Sequence, residues 1–195
     1  MEIYGDFCAR MLETTLGEVD PEFIFLSEPI SNNNGPLISP SMFEEFMIPV
    51  YERIVAVARE HGCERVLVST YGNTARLFPA MIKAGVTMLW ISEAAEVAEL
   101  DYGNLRRQYG PLLGLIGGIP LSILRSGSAE VIKDRLEETM IALLRPGRYI
   151  PLASGRVRNP LHLMVLDEFM ALSDEELVIV AEAGQHDVLT PRRSI

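Results

Sequence analysis

The chain has 195 residues, of which 48% are apolar and 23% are charged, which suits one globular domain or at most two small ones. Its 17 basic and 27 acidic residues give a net charge of −10, which disfavours duplex nucleic acid because binding phosphate backbones needs a basic face. No apolar run approaches the roughly 18 residues of a membrane span, and the acidic start does not resemble a signal peptide, so we expect a cytoplasmic protein without a membrane partner.

The cysteines and histidines give little support for a metal site. The two cysteines, Cys8 and Cys63, exclude a disulfide framework and a four-cysteine zinc site, and they agree with a reducing compartment. Neither His162 nor His186 has a cysteine or histidine at ligand spacing. We therefore expect no bound metal.

Strands and helices alternate along the chain. The helical segments show apolar residues at three- and four-residue spacing and end at glycine or proline signals. Five short apolar runs, lacking strict alternation, indicate buried parallel strands. In chain order the elements are strand Phe23–Glu28, helix Ser41–His61, strand Arg65–Thr70, helix Thr74–Ala84, strand Val86–Ser92, helix Glu96–Tyr109 with a break near Gly103, strand Leu112–Gly118, a short helix Leu121–Arg125, helix Ser128–Leu144 and strand Tyr149–Ser154.

This alternation predicts an α/β fold with a parallel sheet. The spacing of the strands suits either a (β/α) barrel or an open doubly wound sheet. A complete eight-stranded barrel takes about 250 residues. If the fold is a barrel, it is a partial one with about five strands in a single domain over residues 1–195.

Two strand-end carboxylates are candidate catalytic groups, because ligands of parallel α/β folds sit at the carboxyl ends of the strands. Glu28 ends the first strand and Glu93 follows the third, so the two could serve as acid and base. The alternative for Glu93 is an acid that faces the dipole of the following helix.

Further polar and glycine residues follow the other strands. Ser39 either contacts a ligand or caps the next helix, and Asn73 after Tyr71 and Gly72 allows the same two interpretations. The pair Gly117 and Gly118 permits close approach of a ligand or another chain segment.

A cluster of arginines surrounds the fifth strand. Arg145 and Arg148 precede it, and Arg156 and Arg158 follow it, in a chain that is acidic as a whole. We expect an anion near Arg156, Ser39 and the first-strand loop. The alternative is that these arginines balance nearby surface acids.

The order of several longer motifs resembles one family. The segments NNNGPLISPSMFEEFMIPVYERI, YGNTARLFPAMIKAGV, ISEAAEVAELDYGNLRRQYG, LLGLIGGI and RYIPLASGRVR resemble the carboxyl-terminal part of the uroporphyrinogen decarboxylase family, over about Asp20 to Phe169. The resemblance implies a (β/α)8 barrel and one of two reactions: decarboxylation of the acetate arms of uroporphyrinogen, or cobalamin-dependent methyl transfer. The details look closer to the methyltransferase-like branch.

The resemblance also implies roles for single residues. Ser39 matches the serine that reaches substrate carboxylates, and Glu28 matches a strand-end acid. Decarboxylation implies no cofactor, whereas methyl transfer implies a corrinoid. The other residues that match the family are Gly72 with Asn73, Gly117 with Gly118, and Arg156, and we expect them to bind substrate. Tyr71, next to Gly72, is a further candidate for substrate binding.

The chain departs from the family in three places. The amino-terminal strands of the barrel have no counterpart. The methyltransferases carry a zinc-binding histidine and cysteine where this chain has Ser69, Thr70 and Tyr71. The tail over residues 173–195 also lacks a counterpart.

These observations leave three hypotheses. The protein is an enzyme fragment or subunit acting on a tetrapyrrole, corrinoid or methyl-carrying anionic substrate; or a binding or assembly subunit without catalysis; or an unrelated barrel enzyme using Glu28 and Glu93.

A five-stranded arc also predicts association, because its edges and inner face are open. We expect a homodimer, formed through apolar helices over Cys8–Leu16 and Leu161–Leu172, or a partner chain supplying the missing strands. The residues expected on the inner face are Ile24, Leu26, Val66, Val68, Leu89, Ile91, Leu115 and Ile150.

Overall fold

The computed structural model describes residues 2–92, 100–125 and 127–171, and a five-stranded parallel sheet organises them. Its strands lie in chain order, so the chain winds in one direction, as in a barrel wall and unlike a doubly wound sheet. The sheet is not closed, and its two outer strands are edges. The strands are β1 (Ile24–Glu28), β4 (Val66–Tyr71), β5 (Met88–Ser92), β6 (Gly114–Ile119) and β7 (Tyr149–Ala153), and β2 (Ser31–Asn32) pairs with β3 (Gly35–Pro36) in a separate hairpin.

All five predicted strands are therefore confirmed, each within two residues of its expected start. Helices occupy the segments between them. They are α1 (Glu2–Leu16), α2 (Pro40–Phe46), α3 (Ile48–Glu60), a 3-10 turn (Ala75–Leu77), α4 (Phe78–Lys83), α5 (Tyr102–Tyr109), α6 (Leu121–Leu124), α7 (Ala129–Leu144) and α8 (Pro160–Met170). None of the helices in these ranges is long and apolar enough to cross a membrane.

The structure differs from the predicted helix boundaries in three places, and two prolines and an N-cap explain the differences. The expected helix Ser41–His61 divides at Met47, because Pro49 stands in the first turn of α3 and has no N–H to continue the bonds of α2. Pro79 has the same place in α4, so the segment starts as a 3-10 turn. Helix α5 runs through Gly103 without a break, and the Asp101 carboxylate caps it by accepting from Asn104 N at 2.8 Å.

One face of the sheet packs under the helices and forms the core. Its strand residues join buried helix residues such as Phe43, Leu136 and Phe169 in one apolar cluster. The sequence predicts eight strand residues on the inner face of the arc, and this assignment is wrong. All of them except Ile150 belong to the helix-side cluster or pack against it. The buried residues on this face are Ile24, Val66, Val68, Leu89, Ile91, Leu115, Ile119 and Tyr149.

The alternate strand residues form the opposite face, which we call the open face. They pair across the sheet in the observed register, and none of them belongs to the helix-side cluster. The rings of Phe25 and Trp90 lie 6.3 Å apart on it, and Ile150 is 50% exposed. In a closed barrel this face would line the interior. Its apolar members are Phe25, Leu67, Met88, Trp90, Ile116, Ile150 and Leu152.

The two terminal helices pack within the chain. In α1, Ala9 and Leu16 are buried and the helix packs along α3. In α8, Val165 and Phe169 are buried in the core, and the helix packs on α7. Their inner faces therefore pack within the chain, and their outer faces remain for the contacts that the sequence predicts with a second copy.

Candidate functional site

The hairpin of β2 and β3 stands at the carboxyl edge of the sheet and is held by the end of β4. Asn73 N donates to Asn32 O at 2.8 Å. Gly72 has φ +63°, and a Cβ there would lie 2.5 Å from the carbonyl carbon of Asn32. The glycine–asparagine pair therefore anchors this hairpin, which the sequence showed only as a polar loop.

Glu28 lies on the helix side of the sheet, in register with Thr70 on the neighbouring strand. It is half-buried, and burial raises the pKa of its carboxyl, while the neighbouring Tyr51 hydroxyl acts in the opposite sense. The hydroxyls of Thr70 and Ser31 are also buried, and neither has a hydrogen-bond partner among the described residues. The carboxyl thus sits near under-satisfied hydroxyls rather than on the open face.

The structure places two of the other predicted residues, Ser39 and Tyr71. Ser39 caps α2, since its Oγ accepts from Met42 N at 3.2 Å and lies 2.9 Å from Ser41 Oγ. The capping interpretation is thereby confirmed. Tyr71 ends β4 on the open face and is 42% exposed. Glu93 lies outside the described residues.

The glycine pair at the end of β6 makes room for the chain's own aromatic ring. Cβ atoms on Gly117 and Gly118 would lie 2.7 Å and 2.8 Å from atoms of Tyr102. The Tyr102 hydroxyl donates to Ile116 O at 2.6 Å and accepts from Ile91 N at 3.2 Å. Burial raises the pKa of Tyr102, so the hydroxyl stays protonated and joins β5 to β6.

A cleft of about 500 Å³ opens at the carboxyl end of β7, and we call it the arginine cleft. It includes the predicted Arg156 and Arg158. It also includes Arg125 at the end of α6, which no pattern in the sequence indicated as part of a site. Arg145 and Arg148 precede β7 and therefore lie at the opposite end of the strand, so the expected cluster is divided. The lining residues are Leu121, Leu124, Arg125, Ser154, Gly155, Arg156, Val157, Arg158, Asn159 and His162.

A second cleft, of about 530 Å³, lies between the hairpin, the 3-10 turn and α5. Asn73 lines it together with Asn34, Arg76, Asn104 and Gln108. Its polar lining is mostly amide, with one guanidinium.

Ser39 does not line the cleft that includes Arg156. Ser39 follows β1 and Arg156 follows β7, and these strands are the two edges of the sheet. Four strand spacings separate them, roughly 19 Å along the sheet. Within the described ranges, no three histidine, cysteine, aspartate or glutamate side chains are placed to hold a metal ion.

Comparison with known proteins adds one match. The family model described as uroporphyrinogen decarboxylase (URO-D) matches residues 1–155, which include every strand of the sheet. No curated protein matches the chain.

Proposed function

The chain belongs to the uroporphyrinogen decarboxylase family, and on this premise we propose that it acts on a tetrapyrrole or corrinoid macrocycle held against the open face of its sheet. The observation that carries the proposal is the open face itself. It presents accessible apolar side chains on the side of the sheet that would line the interior of a barrel, namely those of Phe25, Trp90, Ile116, Ile150 and Leu152.

The chemistry of this face suits a large, flat, partly apolar ligand. Phe25 and Trp90 supply aromatic surface, and Ile150 and Leu152 supply exposed aliphatic surface beside them. At the carboxyl edge the same face ends in the polar side chain of Tyr71. A macrocycle lying on the apolar part would bring its polar substituents to this hydroxyl.

Decarboxylation is the reaction that we favour. In that reaction the bond between a carboxyl carbon and its methylene breaks, carbon dioxide leaves, and the methylene carbon takes up a proton. On the open face the end of β4 carries the hydroxyls of Ser69 and Tyr71, which can form hydrogen bonds, rather than the thiolate and imidazole of a zinc-dependent methyl transfer. The remaining barrel wall would come from polypeptide beyond the described sheet.

A binding or assembly subunit without catalysis is the second candidate, and a specific observation favours it. Several residues expected to serve a substrate serve the chain's own fold. Ser39 caps α2, Gly72 accommodates Asn32, and the ring of Tyr102 fills the space beside Gly118. Glu28 lies on the helix side.

Trp90 is the only tryptophan of the chain, so its fluorescence reports on the open face directly. Titration with uroporphyrin, and separately with cobalamin, should quench this emission at micromolar ligand. Ile150→Glu should weaken quenching at least tenfold, because it places a charge on the apolar surface. The matched control is Val131→Glu on α7, which is 39% exposed and should leave quenching unchanged.

Turnover separates the two candidates. Carbon dioxide released from uroporphyrinogen supports the enzyme, and quenching without release supports the binding subunit. If neither macrocycle quenches Trp90, or if Ile150→Glu has no effect on the quenching, the open face is not the binding surface.

A further inference from the structure

The arginine cleft has the features of a separate oxyanion site, and we propose that it binds a phosphoryl group of a small molecule. Three guanidinium groups, those of Arg125, Arg156 and Arg158, line one cleft of about 500 Å³. They come from two parts of the chain, the end of α6 and the segment between β7 and α8. The fold, rather than a run of basic sequence, brings them together.

The charge of this cleft is unusual for the chain. None of its ten lining residues is acidic, although the chain has 27 acidic residues and a net charge of −10. Within the described ranges, Arg125, Arg156 and Arg158 form no ion pair with a carboxylate. No described acid pairs with these arginines, so their charge is open to an external anion.

The cleft is distinct from the open face. Its apolar wall consists of Leu121 and Leu124 on α6, and Leu124 is fully buried in the core beneath the helices. The open-face residues of β7 are Ile150 and Leu152, and neither lines the cleft. The cleft shares no residue with the apolar members of the open face, so the inference does not depend on the proposed function.

The balance of charge favours a phosphoryl group over a single carboxylate. A phosphoryl group carries about −1.5 to −2 charges and three strong acceptor oxygens, which suits several guanidinium donors at once. Ser154, Asn159 and His162 add neutral hydrogen-bonding groups to the lining.

Isothermal titration of the full chain with inorganic pyrophosphate tests the inference, with citrate as the carboxylate arm. We expect pyrophosphate to bind at least tenfold more tightly than citrate, and its affinity to fall with rising salt. Arg125→Gln and Arg156→Gln should each weaken pyrophosphate binding about fivefold, the effect of one solvent-exposed charge. The control is Arg135→Gln on α7, an exposed arginine outside the cleft that makes the same charge change.

Three outcomes would overturn the inference. The first is a lack of pyrophosphate binding at millimolar concentration. The second is equal weakening by Arg135→Gln and Arg156→Gln, which would show a response to net charge alone. The third is citrate binding as tightly as pyrophosphate, which would make the cleft a carboxylate site. Circular dichroism of each variant confirms that the chain still folds.

Discussion

Replacing Arg106 with methionine should destabilise the protein strongly, because this side chain joins the amino-terminal ends of two strands. Arg106 lies on α5 and is buried, with 9% of its surface exposed. Its Nη1 donates to Leu113 O at 2.7 Å and Gly110 O at 3.2 Å, and its Nη2 donates to Gly147 O at 3.1 Å and Arg148 O at 3.3 Å. The guanidinium therefore ties the loops that precede β6 and β7 to one helix.

The size of the effect follows from these four bonds. A hydrogen bond from a charged donor contributes about 1.5–3 kcal/mol. Relief of the cost of burying the guanidinium offsets part of the loss. Arg148 O also keeps a second donor, Leu115 N, at 3.0 Å. We expect Arg106→Met to lower the free energy of unfolding by about 2–4 kcal/mol, or the melting temperature by roughly 5–15 °C.

Urea and thermal unfolding, followed by circular dichroism, measure this loss. Arg106→Lys should recover less than half of it, because one ammonium cannot reach carbonyls on two loops at once. Arg107→Met, the exposed neighbour on the same helix, is the control and should change stability by less than about 0.5 kcal/mol. An Arg106→Met protein as stable as this control would refute the idea that the guanidinium ties the two strands.

Two further predictions concern the carboxyl edge. Gly72→Ala should reduce the hydrogen-exchange protection of the hairpin amides, because a Cβ cannot fit 2.5 Å from the backbone of Asn32. The control is Gly62→Ala, which is also at positive φ but would have nothing within 4 Å of its Cβ, and it should leave that protection intact. Burial raises the pKa of Glu28, so its contribution to stability is complete below the ordinary glutamate pKa and is lost as pH rises through the raised one. Glu28→Gln should therefore melt above the wild type at pH 8 by a margin that shrinks at pH 4, and an equal margin at both would contradict this.

The strands could be predicted from the sequence, but the faces of the sheet could not. Each strand is a short apolar run between residues that break secondary structure, so its position was evident. In the first half of β4, however, Val66, Leu67 and Val68 are all at most 3% exposed, although they point alternately to the two faces. A strand that is apolar on both sides has no alternation to show which residues meet the helices.

The candidate site was predictable only in part, because two of its features arise between distant segments. Arg156 was expected at a site, but Arg125 lines the same cleft from α6, about 30 positions earlier in the chain. No local pattern in the sequence indicates that these two residues lie near each other. Gly117 and Gly118 signalled a close approach correctly. The approaching group, the ring of Tyr102, comes from another element and cannot be identified from the glycines themselves.

The exposed apolar residues of the two terminal helices lead to a last prediction. On α1, Ile3, Phe7 and Met11 are four residues apart and 87%, 58% and 55% exposed, so they form one stripe. On α8, Leu163 and Met164 are exposed.

Helix α1 precedes the edge strand β1 in the chain, and α8 follows the edge strand β7. Fully burying a side chain of this size is worth about 1.5–3 kcal/mol, so covering the stripe alone is comparable to a substantial part of the stability of a domain. We expect the chain to self-associate at micromolar concentration, and light scattering coupled to size-exclusion chromatography should show a dimer or larger species. Phe7→Glu should shift that equilibrium toward monomer, whereas Val131→Glu on α7 should not. A wild-type monomer at the same concentration would show that these surfaces do not join two copies of this chain.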